Sequence, residues 1–300
     1  MLYNALSEFY ESQQLLLNEP MSRHTSFKIG GNAKILAIPN TSEQIAKTID
    51  FCKTAGHPFF IMGNGSNILV DDDGIDALVI KISEAFSDVI IDGDTVIAEA
   101  GVLLSKLSKI VMRESLQGFE FASGIPGTIG GAVFMNAGAY GGEMKDVVLW
   151  ADVLTTEGEI VRIDKSELHF DYRTSIVREK GWIVLKVALQ LDKGEFEIIK
   201  EITNELTKKR VSKQPLDLPS AGSTFKRPTG YYAGQLIEDA GLRGLRHGDA
   251  QVSEKHCGFI VNLGDATCEE VMDLIAVVQK VVLDTFGVQL EREVRIFGKE

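Results

Sequence analysis

Five consecutive residues, Gly63-Asn64-Gly65-Ser66-Asn67, are small or amide-bearing and directly follow an apolar run ending at Met62. Glycine lets successive backbone N–H groups point into one concavity, and such a nest binds an anion of the pyrophosphate kind. A tight Asn-Gly turn between two strands would use the same residues, so the pentad leaves both readings open. A longer run from Gly124 to Gly142 consists almost wholly of small residues. A backbone of that composition can lie flat against a planar or phosphorylated ligand. Pro126 fixes its entry, and Thr128 and Asn136 add polar side chains for orientation. Neither stretch is a dinucleotide fingerprint or a P-loop, since no G-x-G-x-x-G opens a helix and no Gly-Lys-Ser/Thr follows.

Charged residues capable of chemistry gather later in the chain. Lys209, Arg210, Lys213, Lys226 and Arg227 flank a Pro-containing stretch, Gln214 to Pro219. They can neutralise phosphate, or, for Lys208 to Arg210, simply compensate the end of a preceding helix. The pair Tyr172-Arg173 and the alternating Glu291, Glu293 and Arg295 would, taken singly, be surface charge on strand ends. His24, His169, His247 and His256 occur without i, i+4 pairing, and no metal site is expected. The adjacent His256-Cys257 has no setting that would activate a thiolate.

Composition narrows the classes. The 300 residues carry a formal charge of −12 and a pI near 5.0, which argues against a nucleic-acid partner needing a basic face. With 44% hydrophobic residues the chain can bury one large or two ordinary cores. The three cysteines, Cys52, Cys257 and Cys268, lack C-x-x-C spacing, so neither a disulfide framework nor a zinc cage is expected, and a reducing cytoplasm fits. The N-terminus carries Glu8 and Glu11 without a basic region before an apolar run, so no secretory signal is expected. The glycines, Pro126 and Asn136 rule the uncharged stretch Gly124 to Gly142 out as a membrane span.

The elements that must position these residues follow from periodicity. Tyr3, Leu6, Phe9, Tyr10, Leu16 and Leu17 recur at about helical spacing and predict an opening amphipathic helix. A strand at Ile35 to Ile38, a helix opened by the capping box Thr41-Ser-Glu-Gln44, and a strand at Pro58 to Met62 lead into the first glycine cluster. Strands at Ile68 to Val70 and Leu78 to Ile82, a hairpin turning at Asp92-Gly93-Asp94, and a helix from Leu103 to Glu114 precede the second. Strands at Val147 to Leu154, Ile160 to Ile163 and Ile183 to Leu191 follow it, then a charged helix from Glu195 to Arg210. Beyond lie a helix at Tyr231 to Ala240, strands near Gln251 and at Phe259 to Asn262, and a helix whose capping box is Thr267-x-x-Glu270. The mixture predicts α+β, with no internal repeat and a boundary near residue 193.

At this point a resemblance is specific. The pentad, the turn Ser123-Gly124-Ile125-Pro126-Gly127-Thr128 and the segment Asn136-Ala-Gly-Ala-Tyr140 resemble the FAD-binding domain of UDP-N-acetylenolpyruvoylglucosamine reductases, a domain type shared with the vanillyl-alcohol-oxidase flavoproteins. Phe170-Asp-Tyr-Arg-Thr-Ser175, the stretch from Lys209 to Pro228, and Leu290-Glu-Arg-Glu293-Val-Arg-Ile-Phe-Gly298 resemble that family's Tyr-Arg motif, substrate signature and closing strand. The matches run in the family's order from residue 22 to 298. The resemblance implies an N-terminal helix at 1–21, an FAD-binding domain of two α+β subdomains at 22–192, and a smaller α+β substrate domain at 193–300 whose last strand, about 290–298, returns to the active site. It implies noncovalent FAD held by Gly63, Asn64, Gly65, Ser66, Asn67, Ser123, Gly124, Pro126, Gly127, Thr128, Gly131, Asn136 and Gly138, with NADPH as co-substrate. Arg173, Ser223 and Glu293 match the catalytic residues, and Tyr172, Arg210, Lys213 and Lys226 become candidates for binding a UDP-sugar enolpyruvyl ether.

Reduction of such an ether builds enolate-like charge on the substrate carboxylate. The resemblance implies that Arg173 and Glu293 meet this charge while Ser223 protonates the adjacent carbon. Longer family members carry an inserted loop after the Tyr-Arg segment; here Arg173 is followed almost at once by the strand from Ile183, so the chain resembles the shorter class. Longer members often place Asn where Arg227 stands. A flavin oxidase of the same superfamily and a non-catalytic nucleotide-sugar or flavin-binding module are the rival readings. A monomer or weak oligomer in the cytoplasm is expected, with no membrane insertion.

Overall fold

Apolar side chains along Val148–Leu154 and Ile183–Gln190 build the centre of the largest sheet. In the computed structural model, which describes residues 2–298, its strands run in the order Ile160–Asp164, Val148–Leu154, Ile183–Gln190, Thr95–Glu99, Val89–Asp92, all antiparallel. The expected hairpin closes one edge, with Asp92 opposite Thr95 and Gly93 at φ 65°. Six of the eight residues of Ile183–Gln190 are buried, so this strand is covered on both faces, and the helix Ile129–Met135 packs on it. Antiparallel sheets with helices on their faces make the chain α+β.

The chain divides into two compact units. One holds the residues up to Leu16, Leu36–Asn64 and Leu78–Arg210; the other holds Leu17–Ile35, Gly65–Ala77 and Val211 onward. In the first, Phe59–Met62 pairs in parallel with Leu78 to Lys81, and the helix Ser42–Thr54 starts as its capping sequence predicts, with Thr41 accepting the Gln44 N–H at 3.1 Å. The opening helix is shorter than its periodicity predicts: it ends at Leu6, and the chain then becomes a strand at Leu15–Pro20. Tertiary hydrogen bonds override the helical spacing, because Gln14 accepts the Ile38 N–H at 2.8 Å and its side chain donates back to the Ile38 carbonyl at 3.0 Å.

The second unit is built on a three-stranded antiparallel sheet, Arg246–His247, Ala250–Val252 and Ile260–Asn262, covered by the helix Cys268–Phe286. Val252, Ile260, Leu274, Ile275 and Val278 share one buried cluster with Phe27, Ile29 and Leu69 from far earlier in the sequence. Ile68–Val70 pairs in parallel with Arg295–Phe297. The unit boundary therefore falls at Arg210/Val211, within the helix Phe196–Lys213, and the smaller unit draws on two early segments that a single cut near 193 leaves out.

Candidate active site

In the first unit the start of the first glycine-rich stretch, Gly63 and Asn64, meets the second stretch. A Cβ on Gly63 would stand 2.4 Å from Thr128 Oγ1, and the Asn64 amide donates to the Pro126 carbonyl at 2.7 Å. Along the pentad, the backbone N–H groups of Asn64, Gly65 and Ser66 have no acceptor among the described residues. Gly65 adopts φ 68°, a conformation that favours glycine. The second stretch is not one flat loop. Ser123, Gly124, Pro126 and Gly127 form a half-exposed approach to the helix Ile129–Met135, which Thr128 caps by accepting the Gly131 N–H at 3.4 Å. A hairpin of Gly138–Ala139 and Gly142–Glu143 follows, with Tyr140 and Gly141 at its turn. Open backbone donors along the pentad suit a pyrophosphate, and the exposed, side-chain-free Gly131 suits a planar ring, both parts of the FAD that the resemblance implies.

Two residues expected among the cofactor contacts have other work. Asn136 is fully buried in the left-handed conformation at the end of Ile129–Met135. Its amide nitrogen donates to Glu143 Oε2 at 3.0 Å and to the Asp171 carbonyl at 3.1 Å, and its oxygen accepts the Lys145 N–H at 2.9 Å, so both amide hydrogens are used within the protein. Gly138 is glycine because a Cβ there would lie 2.7 Å from Glu143 Cγ and from the Gly142 carbonyl, which is a requirement of the hairpin.

The Tyr-Arg motif is a tight turn in which Asp171 and Thr174 exchange backbone hydrogen bonds of 3.2 Å each. Arg173 sits at φ 58°, a left-handed conformation unusual for a non-glycine residue and common at functional sites. Tyr172 is exposed, with the Arg173 guanidinium 5.0 Å from its ring centre. Arg210 lies over Gly124, whose added Cβ would meet Arg210 Cδ at 2.8 Å. Burial pushes that guanidinium below its ordinary pKa, with Tyr140 opposing the shift. Glu143 is held below the usual carboxylate range, first by its hydrogen bond from Lys145 at 2.8 Å, and further by Asn136 and the charge of Arg173.

In the second unit, residues far apart in sequence converge. The segment from Ser223 to Lys226 runs between two partners. On one side Ser223 bridges Phe259, and the Thr224 N–H donates to the Gly258 carbonyl at 2.8 Å. On the other side the Glu293 N–H donates to the Thr224 carbonyl and the Lys226 N–H to the Glu291 carbonyl, each at 2.8 Å. Glu293 is thereby placed beside Thr224, the residue that follows the exposed Ser223. Asn67 joins them, donating to the Glu293 carbonyl at 3.3 Å and accepting the Arg295 N–H at 3.1 Å. Lys226 spans 2.8 Å to Glu291, whose carboxylate is 70% exposed, so an incoming phosphate can replace it with little loss. Lys213 is exposed at the end of its helix, and its charge reaches His256. His256 accepts the Gly258 N–H at 3.1 Å and packs edge-on against Phe259, so it braces the strand that flanks Ser223; burial lowers its pKa.

Sequence reasoning did not single out Glu143, whose weak signal is an acid directly after the Gly141-Gly142 turn, and it gave His256 no chemistry, since its place beside the strand that flanks Ser223 is not encoded locally.

A family model described as UDP-N-acetylenolpyruvoylglucosamine reductase, C-terminal domain, matches residues 214–297, and one described as FAD binding domain matches residues 33–164. A UDP-N-acetylenolpyruvoylglucosamine reductase of Alkaliphilus oremlandii is 58% identical over 298 residues, covering 99% of this chain and 98% of its own. That of Alkaliphilus metalliredigens is 53% identical with the same coverage. The crystal structure of the UDP-N-acetylenolpyruvylglucosamine reductase from Thermus caldophilus aligns with a TM-score of 0.80 at 35% identity, covering 94% of this chain and 98% of that one.

Proposed function

The chain belongs to the UDP-N-acetylenolpyruvoylglucosamine reductase family, and from that premise we propose that Arg173, Ser223 and Glu293 carry its reaction. The enzyme is a flavin-dependent oxidoreductase that uses NADPH to convert UDP-N-acetylglucosamine enolpyruvate to UDP-N-acetylmuramate for peptidoglycan synthesis. FAD, when bound, takes hydride from NADPH and supplies it to the substrate alkene. The residues that would hold it are Gly63 to Asn67, Ser123, Gly124, Pro126, Gly127, Thr128 and Gly131, through the open backbone N–H groups and the glycine surface described above.

Addition of hydride at the terminal alkene carbon pushes an electron pair toward the carbon bearing the carboxylate and into that carboxylate. Arg173 by its charge, and Glu293 as a protonated carboxyl group that donates a hydrogen bond, stabilise this charge more in the transition state than in the ground state, which is what lowers the barrier. A proton from Ser223 Oγ to the adjacent carbon completes the addition; a hydroxyl is a weak acid but suffices for so basic a carbon. Lys213, Lys226 and Tyr172 bind the UDP moiety, the two lysines by charge.

The observation that carries this reading is the backbone pairing that sets Glu293 against Thr224, the residue after Ser223. The enzyme's place in the cytoplasm, as a monomer or weak oligomer without a nucleic-acid partner, belongs to the same proposal. It is supported by the acidic charge and by three cysteines that are free and buried. No helix among the described residues is long and apolar enough to cross a membrane. The test is anaerobic spectroscopy of the purified protein. NADPH should bleach the flavin band and UDP-N-acetylglucosamine enolpyruvate should restore it; restoration by oxygen alone would overturn the assignment.

A further inference from the structure

A left-handed Arg173 persists only if its surroundings hold it there. Three hydrogen bonds do so from outside the turn. Arg178 Nη1 donates to the Arg173 carbonyl at 2.6 Å, buried Ser175 Oγ donates to the Phe134 carbonyl at 3.0 Å, and Asn136 donates to the Asp171 carbonyl at 3.1 Å. The first two are ordinary braces. The third differs, because the same amide nitrogen also donates to Glu143, so the turn is connected through one buried side chain to a carboxylate. The carboxylate in turn is fixed by Lys145 at 2.8 Å and by its own backbone N–H, which donates to Asp146 Oδ2 at 2.8 Å.

We propose that Glu143, acting through Asn136 and through its charge, is a positioning residue that orients the Arg173 guanidinium toward the substrate carboxylate. The inference rests on the role assigned to Arg173 above. A hairpin that needed only a clamp could have used any hydrogen-bond acceptor at 143. What an anion adds is a second attraction beside that hydrogen-bonded link, since the charge of Arg173 helps to hold the Glu143 carboxyl below the usual carboxylate range. Arg173 has a long, flexible side chain, and a fixed negative charge in its neighbourhood narrows the directions the guanidinium samples. It also explains why Asn136 spends both of its amide hydrogens inside the protein.

Glu143→Gln separates charge from hydrogen bonding, because the amide oxygen still accepts from Asn136. In stopped-flow assays of the FAD-loaded enzyme, reoxidation by the enolpyruvyl substrate should fall roughly tenfold to a hundredfold, the range expected for a misplaced catalytic group. Bleaching by NADPH should stay within about twofold, since that step has no substrate carboxylate to meet. Thermal unfolding and bound flavin should match the wild type, and Asn136→Ser should show the same split between the two half-reactions. In an Arg173→Lys background, Glu143→Gln should add less than about threefold, because the two act as one unit. Equal loss in both half-reactions, or an undiminished Glu143→Gln effect in that background, overturns the inference. A slow Arg173→Lys beside a normal Glu143→Gln overturns it while sparing the role of Arg173; wild-type reoxidation by Arg173→Lys overturns that role and the inference together.

Discussion

Ser223 has an exposed side chain on a backbone held from both sides, so deleting its hydroxyl removes chemistry without removing packing. Ser223→Ala should therefore unfold within about 0.5 kcal/mol of the wild type and keep its FAD. Substrate-driven recovery of the flavin band, followed in an anaerobic stopped-flow experiment, should slow by roughly 10²–10⁴-fold, the usual contribution of a proton-transferring group. The cysteines behave in the opposite sense. Burial pushes the Cys52 thiol up to about 11 and that of Cys268 up to about 12. Both should resist iodoacetamide at pH 8 in the native protein and react once it is unfolded, as mass spectrometry of the alkylated peptides would show. The same shifts set a pH dependence. The folded state holds these protons more tightly than the unfolded chain, so the stability they contribute is present below the ordinary thiol value of 9.0 and is lost as pH rises toward about 11 to 12. Arg173, Ser223 and Glu293, types that act through their side chains, are the residues that the sequence offers for chemistry. The structure adds a second use for Asn136, because an amide beside glycines is as well suited to ending a helix as to meeting a ligand.

Helix ends were the most legible elements, since a capping box is encoded within four residues. The box at Thr267 and Glu270 forms as its spacing predicts, and the tertiary structure adds to it. Asp72, from far earlier in the chain, accepts the Cys268 N–H at 2.8 Å and the Glu269 N–H at 3.1 Å. Thr267→Ala should cost about 1 kcal/mol and lower the melting temperature by about 2–4 °C, measured by calorimetry; Asp72 keeps two of the orphan donors satisfied, so the helix itself should persist. The Gly124 to Gly142 stretch was harder. Its small residues predict a surface for a ligand, but they also let the helix Ile129–Met135 pack closely: a Cβ on Gly130 would stand 2.8 Å from Ala100 Cβ. The sequence cannot separate these two uses of glycine, because both require only that the side chain be missing. The opening helix failed for a different reason, as backbone pairing between Gln14 and Ile38 outweighed a local preference of a few tenths of a kcal/mol per residue.

At the scale of the whole molecule, the smaller unit is not contiguous. Phe27, Ile29 and Leu69 lie in its core, and the buried Asn262 amide donates to the Phe27 carbonyl at 3.1 Å. A fragment consisting of residues 211–300 should therefore show no cooperative thermal transition by circular dichroism, although it contains the matched C-terminal domain at 214–297. A sharp transition would mean that the early segments are dispensable to that core. Sequence alone determined the family, the cofactor class and the α+β character, because each is written in residue types at fixed local spacing. The tertiary structure decided which distant residues share a neighbourhood: Glu293 with Ser223, Asp72 with the helix from Cys268, Glu143 with the turn of Arg173. Those pairings depend on strand register and on which buried surfaces find each other, and no local window of sequence contains either.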